Sequence, residues 1–256
     1  MRLATWNVNS LNVRLGHVLD WLATADVDVL CLQELKLPNE KYPHAALEAA
    51  GYTSAINGQK TYNGVAILSR LPMTEISVDM PDYADPQKRV VAATVAGIRV
   101  ICAYFPNGQS LESDKYRYKL DWLDAMHGYM QRALQAHEQV ALLGDYNIAP
   151  QDCDVHDPKA WEGQVLVSDR ERAAWQRLIG LGLADCFRLF EQPEKSFSWW
   201  DYRMLGFRRN AGLRIDHILA SAALAPRCRA CVIDKAPRKL DKPSDHTPVV
   251  ADFSSL

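Results

Sequence analysis

Six polar clusters recur along the 256-residue chain, each at the end of an apolar run or just after one: Trp6-Asn7-Val8-Asn9, Gln33-Glu34, Tyr104-Phe105-Pro106-Asn107, Asp145-Tyr146-Asn147, Asp216-His217 and Ser244-Asp245-His246. A single Asn or Asp in such a place is commonplace, because caps and turns use both. Six ends carrying carboxylates, amides, a phenol and imidazoles suit the hydrolysis of a phosphate ester. Carboxylates without a Cys/His cluster favour a hard cation such as Mg²⁺ over zinc. Asn and His can donate to charge developing on phosphoryl oxygens, and a carboxylate can take a proton from water. No G-x-x-x-x-G-K-[ST] or G-x-G-x-x-G loop cradles a nucleotide, and no G-x-S-x-G elbow supports a serine esterase.

The elements that must position these groups alternate between strand and helix. LATWNV reads as a strand, and Leu15, Val18, Leu19 and Leu22 then fall on one helical face. VDVLCLQEL and QVALLGDYN are apolar enough to be buried on both sides. VVAATV and IRVICAYF form a hairpin about Ala96-Gly97. Leu120, Leu123, Met126, Met130 and Leu134 mark a long amphipathic helix, with Lys119 at its start, that ends near His137. Ser168 and Glu171 have the spacing of a capping box. FSWWDY, LRIDHILAS, ACVID and VVADF read as further strands. No linker, repeat or low-complexity tract interrupts the chain, so one compact α/β domain over residues 1–256 is expected.

Net charge is −2, which alone argues against a generic nucleic-acid binder. Yet residues 201–246 hold ten Lys/Arg against five acids, leaving the remainder at −7, so one flank could dock a polyanion. The six cysteines follow no framework spacing. Cys228 and Cys231 are a close pair without a second metal-binding half, and reduced thiols used as small core residues are expected. No stretch is long and apolar enough to span a membrane, and the N-terminus shows no secretory signal, so a cytoplasmic location is expected.

Seven motifs, TWNVNSLNVR, LCLQELK, YNGVAILSR, LLGDYNIAP, FSWWDYR, GLRIDHILAS and KPSDHTPV, occur in this order. Together they resemble the exonuclease III type of AP endonuclease, a branch of the endonuclease/exonuclease/phosphatase superfamily, over essentially the whole chain. The resemblance implies a four-layer sandwich of two packed mixed β-sheets flanked by helices, with one site at its top. It implies a hydrolase of DNA base excision repair that uses Mg²⁺ or Mn²⁺. Its substrate would be double-stranded DNA with abasic sites, nicks, or recessed or blocked 3′ ends. The implied activities are 3′→5′ exonuclease, 3′-phosphatase and abasic-site endonuclease. A monomer is expected.

Carried over residue by residue, the resemblance makes Glu34 a metal ligand, with Asn7 and Asp245 beside the metal positions. Asp145 would activate water, Asn147 would hold the scissile phosphate, and His246 would contact that phosphate. Asp216 would accept from His246 and fix its tautomer. Tyr104 resembles a site tyrosine, with Asn107 beside it and Lys119 as a basic neighbour. His217 faces away by strand alternation and is read as structural. Trp199-Trp200 would wall the substrate pocket, with one of the two turned into the core because strand neighbours face opposite ways, and Arg203, Arg208, Arg209 and Arg214 would line the DNA flank. Two departures stand out: Asn9 occupies a position that is Asp in many relatives, and Leu166 one that is small in relatives cleaving at abasic sites. A bulky side chain there would obstruct an extruded sugar, which makes 3′-end processing the favoured activity. A phosphoinositide- or sphingomyelin-type phosphatase shares the Glu, GDxN and SDH elements, but the FSWWDYR and GLRID blocks and the basic flank favour DNA. A non-catalytic DNA-binding relative would not need Glu34, Asp145, Asn147, Asp216 and His246 together.

Overall fold

The computed structural model describes residues 1–254. Period-two alternation in β1 (Arg2–Asn7) sets the architecture: Leu3 faces a second sheet, whereas Ala4 and Trp6 face helix α1 (Leu11–Ala25). The first sheet adds β2 (Val29–Gln33), β3 (Thr53–Asn57), β4 (Val65–Ser69), β13 (Cys228–Ile233) and β14 (Val249–Phe253), in the order β13-β14-β1-β2-β4-β3. The second comprises β5 (Met73–Val78), β6 (Val90–Val95), β7 (Ile98–Tyr104), β8 (Val140–Asp145), β9 (Ala184–Asp185) and β12 (Asp216–Ala220), in the order β5-β6-β7-β8-β12-β9. A short ribbon pairs β10 (Trp199–Trp200) with β11 (Gly212–Leu213).

Each sheet contains one parallel pair, β1–β2 and β7–β8; all other pairings are antiparallel. Parallel neighbours need a crossover, and α1 and the 23-residue α3 (Asp114–Ala136) supply the two. Leu3, Val29, Ile67, Val100, Leu143 and Ile218 meet between the sheets. Trp122, Met126, Trp175 and Leu178, from α3 and α5 (Asp169–Gly180), cover the outer face of the second sheet, and the short α4 (Pro158–Trp161) precedes α5. Val18 and Trp21 of α1, with Leu47 of α2 (His44–Ala49), cover that of the first. The result is the expected α/β four-layer sandwich.

Three local expectations need correction, the first being that LRIDHILAS, expected as one strand, divides between β11 and β12 in different sheets. The long helix begins at Asp114, capped by the Ser113 hydroxyl on the Tyr116 amide, so Lys119 lies in its second turn. The strand expected over FSWWDY shrinks to Trp199–Trp200, because the chain then turns through Met204 and Leu205, both left-handed.

Register delivers the polar ends. Tyr104 pairs with Asp145, and Asp145 with Asp216, so three side chains of the same parity stand side by side at one edge of the second sheet. The close approach depends on Gly144: a Cβ there would lie 1.8 Å from the Ala103 carbonyl oxygen. Among the described residues no helix is long and apolar enough to cross a membrane.

Candidate active site

Asn7 and Gln33 end two neighbouring strands of the first sheet in register, directly across from the Tyr104-Asp145-Asp216 row. The Asn7 amide spans the gap between sheets, donating to Glu34 Oε1 at 2.9 Å and to Asp145 Oδ2 at 2.8 Å. Glu34 follows β2 with φ of 53°, a left-handed turn that β2 itself could not make. Its Oε1 also accepts from the Tyr104 hydroxyl at 2.9 Å, and its Oε2 pairs with Lys36 at 3.0 Å. Left-handed non-glycine residues cluster here: Asn9, Glu34, Lys36 and Asn147. Such conformations persist where surrounding contacts over-determine them.

His246 stands between two buried carboxylates. Its Nδ1 lies 2.8 Å from Asp216 Oδ2, and its Nε2 lies 3.6 Å from Asp145 Oδ2. Burial raises the Asp145 carboxyl above its ordinary range; His246 pulls it down, Asp216 pushes it up, and the net is upward. Burial works against a charged His246, but Asp216 and Asp145 outweigh it and raise the imidazole. Tyr104 is pushed well above the usual phenol value by burial and then by Glu34 and Asp145, so it remains a donor. Arg89 stacks 4.8 Å from its ring centroid and donates to its carbonyl.

Glu34, Asp145 and His246 each present a ligand atom, all within 4.8 Å of one another, and form a candidate metal group. The carboxylates fit a hard divalent cation with places left for water and phosphate oxygen, whereas His246, raised by its two acidic neighbours, keeps its proton and serves as a donor. Asp245 is not in this group: its oxygens accept from Asn9 and from the Trp199 indole, each at 3.0 Å. The Asn7 oxygen is likewise engaged, by the Asn9 amide at 3.0 Å. Asn9 also accepts from Lys36, and an aspartate in its place would set a like charge against Asp245.

Asn147 and Asn107 are joined at 3.2 Å beside Asp145, whose Oδ1 accepts from the Asn147 amide. Trp199 is partly buried and bridges to His246. Arg203, Arg208 and Arg209 are exposed on the 201–210 loop, with Met204 at 78% and Leu205 at 62% exposure at its tip. Leu166 is buried against Leu213, Ile215 and Val155, with Trp199 packed on the same cluster.

Three residues expected at the DNA face are elsewhere. Lys119 is fully buried, and its three ammonium protons go to the carbonyls of Asn107 and Asn147 and to Glu171. Trp200 is fully buried, edge-on to Phe207 with its indole donating to Asn210, because its strand neighbour Trp199 takes the face toward His246. Arg214 is buried between Asp154 and Asp185. His217 faces away from the site, as alternation requires, against Tyr146 and Trp175. The structure adds Lys36, Arg89 and Ser244 to the site. Ser244 donates to the Asn7 carbonyl and accepts from the His246 amide, and its place inside S-D-H was the available signal.

The Endonuclease/Exonuclease/phosphatase family matches residues 4–246. The chain is 36% identical over 266 aligned positions to exodeoxyribonuclease III of Haemophilus influenzae, covering 99% of this chain and 100% of that protein. The solved structure of the 3′ phosphatase NExo from Neisseria, bound to a product DNA hairpin, superposes with a TM-score of 0.98 at 45% identity, over 100% of both chains. An AP endonuclease from Archaeoglobus fulgidus superposes with a TM-score of 0.96 at 38% identity, again over 100% of both.

Proposed function

The chain belongs to the endonuclease/exonuclease/phosphatase family, and from that premise we propose a 3′-end-processing repair nuclease of the exonuclease III type, acting on double-stranded DNA. The convergence of Glu34, Asp145 and His246 on one small space carries this reading. It fits a divalent-metal phosphodiesterase. Glu34 would hold the Mg²⁺ or Mn²⁺ beside Asp145 and His246, which stay free for water and phosphate, and the bound ion would neutralise charge on the phosphate.

The protein's own groups supply the rest. Asp145, held by the Asn7 side chain and the Asn147 amide, orients a water molecule and takes its proton. The water oxygen forms a new bond to phosphorus as the bond to the leaving oxygen breaks in line. Asp216 fixes the His246 ring through Nδ1, which leaves Nε2 for a phosphoryl oxygen. Tyr104 holds Glu34 in place, and Asn147 and Asn107 form the phosphate's other border. Arg203, Arg208 and Arg209 contact backbone phosphates and fix register without reading sequence.

Leu166 favours ends over abasic interiors. It fills an apolar pocket beside Trp199, where an extruded sugar would otherwise sit, and holds φ of 78°, a conformation suited to glycine. We further place the protein in the cytoplasm, as a monomer with one catalytic domain. The test is a Mg²⁺-dependent assay on three duplexes: a 3′-phosphate at a nick, a recessed 3′-hydroxyl and an internal abasic analogue. The two 3′-end substrates should be processed faster than the abasic site, and EDTA should abolish all turnover. Preference for the abasic duplex would overturn the assignment to 3′ ends.

A further inference from the structure

Lys119 and Glu171 form an ion pair in which both side chains are fully buried. Glu171 is the third residue of α5, and one carboxylate oxygen, Oε2, completes the capping box by accepting from the Ser168 amide at 3.1 Å. Helix capping asks nothing more of it. The other oxygen, Oε1, accepts from Lys119 and from the Leu166 amide at 3.0 Å. The Leu166 carbonyl is held in turn by the Ala149 amide at 2.8 Å. Leu166 is thus clamped at both its amide and its carbonyl while it keeps a left-handed backbone. A leucine released from such a clamp relaxes to negative φ and turns its side chain out of the pocket. Lys119 spends its two remaining protons on the Asn107 and Asn147 carbonyls.

We propose that Glu171 is a specificity-positioning residue: through the Leu166 amide it keeps that side chain packed in the apolar cluster with Trp199, Leu213 and Ile215, where an extruded sugar would have to enter. Lys119 fixes the carboxylate that does so and ties it to the backbone of the two asparagines. An abasic deoxyribose within a duplex is the ligand class excluded, and a 3′ terminus the class admitted. This rests on the reading of Leu166 given above.

The experiment compares abasic-site incision with 3′-phosphate removal in the wild type, Glu171→Asp, Leu166→Gly and the double variant. Aspartate keeps a charge for Lys119 but withdraws the oxygens by one methylene from the Leu166 amide. Glu171→Asp should raise the ratio of abasic incision to 3′-phosphate removal at least tenfold. In the Leu166→Gly background, where no side chain is left to hold, the same change should shift the ratio less than twofold. An equal fall in both activities, or an undiminished shift in the double variant, would overturn the proposal. If Leu166→Gly opens the abasic site while Glu171→Asp leaves the ratio unchanged, the clamp fails and the pocket reading stands. If Leu166→Gly leaves the ratio unchanged, the pocket reading fails and the proposal with it. Should Glu171→Asp not fold, Lys119→Met/Glu171→Met removes the ion pair and the acceptor of the Leu166 amide together and carries the same expectations.

Discussion

The floor of the site and its basic rim are built in opposite ways. Asn7, Tyr104, Asp145, Asp216 and His246 come from strand ends or from a segment hydrogen-bonded to them, and all but the partly buried Tyr104 are buried. The 201–210 loop carries its arginines and an apolar tip in solvent, with Met204 and Leu205 in left-handed backbone. Its attachments lie mostly at its two ends: the Asn210 side chain to Trp200 and Lys195, Phe207 against Trp200 and Arg238, and the Tyr202 hydroxyl, which donates to the Pro243 carbonyl and accepts from Asn9 and Arg14. A floor whose geometry is set by sheet register can hold reacting atoms to fractions of an ångström. A rim of long cationic side chains can meet phosphates wherever the duplex places them, and gains affinity without demanding one geometry.

That contrast can be broken from either side. Asp145→Asn should lower kcat by about a thousandfold, within the range for losing a general base, while affinity for nicked duplex changes by about threefold or less. A gel-shift titration beside single-turnover kinetics checks the split. Asp216→Asn should cost about a hundredfold in kcat, because His246 loses the acceptor that orients it; KM should hardly move. Replacing Arg203, Arg208 and Arg209 by alanine should do the reverse, raising KM several-fold. The slope of log K against log salt should become shallower by up to about 0.9 for each lost phosphate contact. A variant of this kind that lost kcat alone would merge rim and floor into one unit.

The smallest effect on turnover lies behind the floor, at His217. Arg214 can only donate, so His217 Nδ1 accepts from it and Nε2–H donates to the Ile148 carbonyl at 2.9 Å, which requires the neutral ring. Burial and then Arg214 lower its pKa to about 4. The unfolded chain therefore takes up a proton near pH 6.5 that the folded chain refuses until about pH 4. Stability should fall as pH drops through that window, by roughly 3 kcal/mol for this group alone. Urea denaturation between pH 4 and 7 should show a shallower fall in His217→Leu, with kcat at neutral pH changed little.

The floor was legible as polar ends of apolar runs, its roles came from the family resemblance, and alternation with period two explains why the side chains share one space. Once LATWNV, VICAYF and ALLGDYN read as strands, the parity of Asn7, Tyr104 and Asp145 relative to Leu3, Cys102 and Leu143 follows. The same rule turned His217 away from Asp216. The rim was less legible, because a basic residue in sequence does not declare whether it faces solvent. Arg214 found Asp154 and Asp185, sixty and twenty-nine residues distant, and Lys119 found Glu171; only tertiary contact reveals such partners. Trp199 and Trp200 were told apart as a pair, but which of the two faced His246 depended on the ribbon's pairing with Leu213 and Gly212.

The pairing of β1 with β14 also governs when the site comes into being. Arg2 lies opposite Asp252, and Ser244, next to the catalytic segment, hydrogen-bonds to Asn7. The floor therefore contains groups from both extremities of the described chain, and its most sequence-distant contacts are among those it cannot lack. During synthesis the Asn7, Glu34 and Asp145 strands can emerge and collapse well before His246 leaves the ribosome, and a chain at that stage has no assembled nuclease. Closing so long a loop costs chain entropy that is rewarded only when the final strand docks. Hydrolytic competence thus arrives in one step, with the last strand of the fold.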